Sequence, residues 1–325
     1  MGRLGRVGLS APYKRDLRDA AIWLLEFCAS LGAPLSRKSS SRRVDEVLER
    51  SVDAAYERGE RLYWVTLGVL GVQRALRIAG PLLKGTWGAI RGWRALMPSR
   101  PRVPITRYCL EGVVLVCLAN GMREVGWLRK QWWAVGLASW LGFCGLLRPG
   151  EVAALEVRDV SFDVAAGAED DPGVVLLLRS PKTKRVWRTQ FVLVKEPGLV
   201  AWLQWWVRDA SPGRRLFQVP RRVWASRFKE AAARLDLGGC NYTLGSLRGG
   251  GAIAHFHRYQ NVGQLQYLGR WKHAESLKFY LHEAYSVLVA SRIPASAREK
   301  LACLHGQRLF LDAPPSRPLS VLLEK

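Results

Sequence analysis

The sequence has few acidic residues for its length. Its 325 residues include 27 Asp and Glu against 50 Lys and Arg, so the formal net charge is +23. This deficit of negative charge indicates a polyanionic partner, because each phosphate that a cation neutralises releases condensed counterions. A basic protein without such a partner is the plainer alternative.

The cysteines include no Cys-x-x-Cys pair. The six are scattered, mostly in apolar surroundings, at Cys28, Cys109, Cys117, Cys144, Cys240 and Cys303. We therefore expect small buried hydrophobes in a reducing compartment, and neither a disulfide framework nor a zinc site. His255 and His257 form a His-x-His pair, but no third ligand lies at a suitable spacing. The sequence predicts no bound metal and no cofactor.

Long hydrophobic runs are missing as well. The longest uncharged apolar stretch, residues 132–147, is shorter than the roughly 18 residues that a membrane-spanning helix needs. We expect it to be a buried core helix. The basic start is not followed by the apolar run and cleavage site of a signal peptide. These features predict an intracellular protein, in the nucleus of a eukaryote or in the cytoplasm or nucleoid of a bacterium.

Apolar residues recur at helical spacing through most of the chain. In its first third this pattern predicts helices over residues 13–31, 44–58, 62–78 and 82–96. Residues 97–104 then hold three prolines, which indicates a domain boundary. The convincing β signal is confined to residues 174–178 and 186–194, on either side of a Pro-Lys-Thr-Lys-Arg turn. The predicted fold is mainly α with a small antiparallel sheet (α+β).

Three sequence blocks carry chemistry in a fixed order. Residues 142–159 read GFCGLLRPGEVAALEVRD and place Arg148 and Glu151 just after an apolar helix. The turn near residue 182 reads Pro-Lys-Thr-Lys. Residues 241–285 then place Arg248, Trp271 and Tyr280 in that order, with nine residues from the tryptophan to the tyrosine. Together the blocks resemble the active site of the tyrosine recombinase (phage integrase) family.

The resemblance implies DNA strand cleavage and rejoining without metal or ATP. Tyr280 would be the nucleophile that forms a 3′-phosphotyrosyl link, with Tyr285 as the alternative. The other implied catalytic and supporting residues are Arg148 and Arg248 as phosphate clamps, Lys182 or Lys184 as general acid, Trp271 as hydrogen-bond donor and Glu151 as orienting carboxylate. For each residue a plain structural role competes, such as a surface ion pair for an arginine or core packing for Trp271.

One position departs from the family pattern. Gly245 stands three residues before Arg248, where the family usually has a histidine. Glycine can neither donate a hydrogen bond from a side chain nor take up a proton. Ser246, His255, His257 and His273 are the residues that could compensate. This departure raises a second hypothesis, a catalytically impaired DNA-binding protein that acts as a regulator or is the relic of a mobile element.

The resemblance also implies a domain plan and partners. A basic segment at 1–43 would precede a helical core-binding domain at 44–103, a catalytic domain at 104–294 and a tail at 295–325. The partners would be double-stranded DNA and further copies of the chain, assembled as a tetramer. The tail would pack on a neighbouring copy or be a loose end.

Two other enzyme classes fit less well. A type IB topoisomerase shares the chemistry but is disfavoured by the helical domain that resembles a core-binding domain. A metal-dependent nuclease would need the solvated loop carboxylates Glu169, Asp170 and Asp171.

The glycines at 249–251 predict a close backbone approach or a non-helical turn, and they are not a P-loop because no Gly-Lys-Ser/Thr follows.

Overall fold

A computed structural model describes residues 11–97, 103–162, 173–179, 189–273, 277 and 291–316. The chain divides into two compact units, Met1–Arg100 and Pro101–Lys325.

The first unit is helical. Its elements are α1 (Ala11–Ser30), α2 (Ser41–Glu57), α3 (Leu62–Ala75), a 3-10 turn (Gly80–Leu82) and α4 (Lys84–Leu96). The predicted helices are thus present, with ends that differ by up to three residues. Ser40 caps α2 by accepting a hydrogen bond from the Arg43 amide at 3.2 Å. Trp93 is buried in the core between these helices.

The second unit joins helices to one small sheet. Its helices are α5 (Arg107–Arg123), α6 (Gly126–Cys144), α7 (Pro149–Ala154), α8 (Pro197–Val207), α9 (Arg221–Arg234), α10 (Leu244–Tyr259), α11 (Val262–Gly269), α12 (Ala295–His305) and α13 (Leu309–Asp312). Every residue of α6 from Gln131 to Phe143 is buried, which confirms the predicted core helix. None of the helices described here and above is long and apolar enough to cross a membrane.

The sheet is antiparallel in the order β1, β2, β3, formed by Val160–Phe162, Val174–Leu178 and Gln190–Val194. Val174 pairs with Val194 and Leu178 with Gln190. The strand β1 was not predicted, since three residues are too few to show an alternating pattern. One face of the sheet joins the core, while Phe191 and Leu193 lie exposed on the other.

The glycine run lies inside α10, so the alternative of a non-helical turn is wrong. A Cβ atom at Gly250 would collide with the carbonyl oxygen of Ile105, and one at Gly251 with that of Phe143. The glycines therefore let α10 approach the end of α6 and the start of α5, which is the predicted close backbone approach. This contact places the second turn of α10 against the end of α6.

The described part of the C-terminal tail packs on its own unit. Ala297, Leu301 and Leu311 are buried in the core that α5, α6 and α8 also form. The indole nitrogen of Trp202 donates to the carbonyl oxygen of Phe310 at 3.1 Å. From Ala295 to Asp312 the tail is therefore not a loose end.

The six cysteines are free, with Cys28, Cys109 and Cys117 buried as expected and Cys303 exposed.

Candidate functional site

The turn between α6 and α7 fixes the first predicted arginine. Leu146 has a left-handed backbone with φ +49°, which redirects the chain, and Arg148 then caps α7. The Arg148 amide donates to Glu151 Oε2 at 2.8 Å, and its Nη1 donates to Oε1 of the same carboxylate at 2.6 Å. Arg148 and Glu151 thus form a capping box, in which the carboxylate at the third position of the helix accepts a hydrogen bond from the amide of the cap residue.

The second predicted arginine, Arg248, reaches the same turn from α10. Its Nη1 donates to the carbonyl oxygen of Leu146 at 3.0 Å, and its Nη2 to that of Gly269 at 2.6 Å. Its Nη1 also lies 3.9 Å from Glu151 Oε2. The guanidinium carbon is 4.4 Å from the ring centroid of Trp271, a cation–π distance. Arg148, Glu151, Arg248 and Trp271 are therefore brought together.

A third arginine, which the sequence analysis missed, completes this group. Arg270 follows α11 in a left-handed conformation with φ +57°. Its Nη2 donates to Glu151 Oε2 at 3.1 Å and to the Leu146 carbonyl oxygen at 3.1 Å, while its Nη1 donates to the Leu268 carbonyl oxygen at 3.2 Å. The only sequence signal was its place directly before Trp271. We call Arg148, Glu151, Arg248 and Arg270 the arginine cluster.

The arginine cluster holds more positive than negative charge in a nearly closed space. Only about 6% of the Glu151 and Arg248 side chains and 8% of the Arg270 side chain is exposed, against 27% for Arg148. Burial by itself would raise the pKa of Glu151, but the Arg148 amide and the Arg270 guanidinium hold that pKa below its usual value. Three guanidinium groups therefore face one ionised carboxylate.

Trp271 closes one side of the arginine cluster. Its ring packs with Leu146, Ala252, Leu265 and Leu277 in a small hydrophobic cluster of its own. Packing and the contact with Arg248 together account for its burial. Leu277, the member of this cluster that comes last in the sequence, is described in isolation from its neighbours along the chain.

A cavity of about 1640 Å³ lies next to Trp271 and Arg270. Its walls come from β3, the second half of α10 and α11. Basic side chains stand among its lining residues, at Arg107, Lys195, Arg258 and Lys272. The lining also includes Glu196, which pairs with Arg107 at 2.6 Å, and many apolar side chains, so the cations are one part of a mixed lining beside the arginine cluster.

The remaining candidates differ in position. Gly245 lies in the first turn of α10, and the Ser246 hydroxyl accepts a hydrogen bond from the Thr243 amide at 3.0 Å, so Ser246 takes part in the helix cap. His255 lines the cavity and its ring lies 4.6 Å from that of Tyr259.

His257 and His273 are exposed. Outside the described residues lie Lys182, Lys184, Tyr280 and Tyr285, together with Glu169, Asp170 and Asp171. In the parts of the chain that are described, no group of three or more His, Cys, Asp or Glu side chains is suited to a metal ion.

Comparison with known proteins gives matches in structure but not in sequence. No family model and no curated protein sequence matches this chain. The integrase of the Tn1549 transposon, solved in complex with transposon right end DNA, matches with a TM-score of 0.57 at 14% identity, over 93% of this chain and 96% of that one. A lambda integrase dimer bound to a COC′ core site matches with a TM-score of 0.55 at 13% identity, over 86% and 74%. The chain therefore has the fold of the tyrosine recombinases and integrases.

Proposed function

We propose that the protein cleaves and rejoins DNA strands through a 3′-phosphotyrosyl intermediate, without metal or ATP. The observation that carries the proposal is the arginine cluster: three arginines from separate parts of the chain meet around one carboxylate, beside a tryptophan, on an integrase fold. A group of guanidiniums in a nearly closed site stabilises the charge that builds on a phosphate during displacement.

The chemistry assigns one step to each residue. Tyr280 loses its phenolic proton to solvent water, its oxygen attacks phosphorus, and the bond from phosphorus to the 5′ oxygen breaks. Lys182, or Lys184 in its place, gives a proton to that leaving oxygen. Arg148 and Arg248 hold the non-bridging oxygens, and Glu151 orients Arg148. Since the phosphotyrosyl bond replaces the broken bond, the hydroxyl of another strand reverses the step and releases the tyrosine.

The proposed partners are double-stranded DNA and further copies of the chain. The net charge of +23 favours a polyanion. The two solved structures compared above are both described as bound to DNA, one at a core site and the other at a transposon end. We assign the helical first unit to clamping the duplex, and four copies to the exchange of two duplexes.

A suicide DNA substrate tests the proposal. Its nick lets the cleaved end diffuse away, so a covalent adduct between protein and DNA accumulates and is seen on a denaturing gel. We expect adducts with the wild-type chain in the presence of EDTA, and none with Tyr280→Phe. Tyr108→Phe, which removes a hydroxyl from α5 outside the cavity lining, is the matched control and should form adducts at the wild-type rate. A strict requirement for Mg²⁺ would contradict the mechanism.

Gly245 favours a second candidate function, a DNA-binding protein that does not cleave. No side chain at this position can donate to a phosphate or accept a proton. Tight binding to duplex DNA without any adduct, in the same assay, would support this candidate over the enzyme.

A further inference from the structure

Arg270 is a buried cation that the proposed chemistry leaves without a role. Its side chain is 8% exposed, and it is held in place by the carbonyl oxygens of Leu146 and Leu268. Burial of the guanidinium lowers the pKa of Arg270, and the positive charge of Arg148 lowers that pKa as well. A cation at such a position costs free energy, so its presence requires a compensating interaction.

Glu151 is the first compensating group. Its Oε2 accepts from the Arg148 amide and from Arg270, while its Oε1 accepts from the Arg148 guanidinium. The carboxylate is thus fixed from both sides. Rotation of the carboxylate would break its bond to Arg148, so Arg270 restrains the direction in which the Arg148 guanidinium points. Arg148 is the most exposed member of the arginine cluster.

The remaining charge indicates a second compensating group. One carboxylate balances one of the three guanidiniums, so the arginine cluster has a formal charge of +2. In addition, the buried Nε of Arg270 has no hydrogen-bond partner among the described residues. An unpaired donor in a positively charged site suits an anion, and a phosphodiester is the anion that the proposed function supplies.

We propose that Arg270 is a positioning residue of the phosphate site: it fixes Glu151, and through Glu151 it aims the Arg148 guanidinium at the scissile phosphate. This proposal rests on the proposed function for the identity of the anion. The competing structural role is that Arg270 only fastens the turns at Leu146 and Leu268.

Two substitutions at this position test the proposal, with one control. Arg270→Met removes the charge and keeps the length of the side chain, and Arg270→Lys keeps the charge. Arg222→Met removes one exposed arginine from α9 of the same unit and controls for net charge. The cleavage rate is measured with the suicide substrate at saturating DNA, and the Kd for DNA is measured separately.

We expect Arg270→Met to slow cleavage roughly 100-fold, as a misdirected catalytic group does, while the Kd for DNA stays within about 2-fold. Arg270→Lys should lie between Arg270→Met and wild type, and Arg222→Met should match wild type. Without Arg270 the pKa of Glu151 rises, so the acid limb of the rate profile should move to higher pH in Arg270→Met. A role limited to fastening the turns would leave that limb in place.

A second measurement keeps this proposal separate from the proposed function. Thermal unfolding is followed with increasing inorganic phosphate at constant ionic strength. We expect phosphate to raise the Tm of wild type and Arg222→Met but not that of Arg270→Met. If wild type forms no adduct, the proposed function fails, and the phosphate response alone then decides the role of Arg270.

If Arg270→Met cleaves at the wild-type rate and with the wild-type pH profile, the proposal is overturned. If neither wild type nor any variant cleaves, the proposal is overturned when phosphate changes the Tm of Arg270→Met as it changes that of wild type. Should Arg270→Met not fold, Arg270→Lys decides: slower cleavage at unchanged Kd, or a weaker phosphate response, supports the proposal, and wild-type values overturn it.

Discussion

At the scale of single residues, the carboxylate of Glu151 is the centre of the site. It joins Arg148 and Arg270 directly and lies 3.9 Å from Arg248, so four charged groups depend on one another. Removal of one member of a buried ion pair is strongly destabilising, because the partner is left buried and uncompensated. The stability of the second unit and the chemistry of the site are therefore linked at this residue.

Glu151→Gln should lower the free energy of unfolding by roughly 3 kcal/mol near neutral pH. The folded-state pKa of Glu151 is lower than its ordinary value, so its stabilising effect is present above the ordinary pKa and is lost as the pH falls through the folded one. The difference between wild type and variant should therefore shrink in acid. Urea unfolding across this pH range checks it.

The exposed Glu299 on α12 provides the matched control for this experiment. Glu299→Gln should change the free energy of unfolding by less than about 0.5 kcal/mol at every pH. A difference between wild type and Glu151→Gln that stays constant into acid would contradict the ionised, arginine-bound state of Glu151.

The sequence predicted part of this site for a clear reason. Arg148 and Glu151 are three residues apart at a helix start, a local arrangement that the spacing alone specifies. Arg270 could not be found in the same way. Its contacts with Glu151 and Leu146 depend on a left-handed turn after α11 and on residues more than a hundred positions away.

At the scale of elements, α10 depends on glycines that would weaken an isolated helix. Gly250→Ala should destabilise the fold by about 2 kcal/mol, because its Cβ would collide with the Ile105 carbonyl oxygen and force α10 away. Gly92→Ala in α4 is the matched control, since a Cβ added there would meet no atom within 4 Å outside its own helix backbone and chain neighbours. It should stabilise α4 by roughly 1 kcal/mol. In urea unfolding, the two substitutions should change the free energy of unfolding in opposite directions. Changes in the same direction would contradict this account.

The C-terminal helices give a second test at this scale. Leu301 on α12 is buried against α5, whereas Leu309 on α13 is 80% exposed. Leu301→Ala should therefore lower the free energy of unfolding by about 3 kcal/mol, and Leu309→Ala by less than about 0.5 kcal/mol. Equal, small effects of the two substitutions would show that α12 does not pack on its own unit in solution.

Elements were predictable where a periodic pattern was long. The helices α1 and α2 follow from apolar spacing, α6 from a long uncharged apolar run, and β2 from a short apolar run beside a turn. The strand β1 has three residues and forms only because β2 pairs with it. The glycines of α10 left two alternatives open, and tertiary contact decided between them.

At the scale of the whole molecule, charge should govern the encounter with DNA. If the protein neutralises about eight phosphates, its affinity for duplex DNA should fall roughly 10⁴-fold between about 50 and 200 mM salt. Fluorescence anisotropy with a labelled duplex measures this slope. An affinity that does not respond to salt would contradict a polyanionic partner and leave the charge of +23 without a function.

The left-handed residue Leu146 has a consequence for how this site can change through mutation. Its carbonyl oxygen accepts from both Arg248 and Arg270, so the two guanidiniums share an acceptor that belongs to the main chain. No substitution at position 146 other than one that alters the backbone path can delete that acceptor. A substitution at position 146 can therefore disturb this acceptor only by changing the backbone torsion angles. β-branched residues resist a positive φ, so we expect them to be the replacements that are not tolerated here.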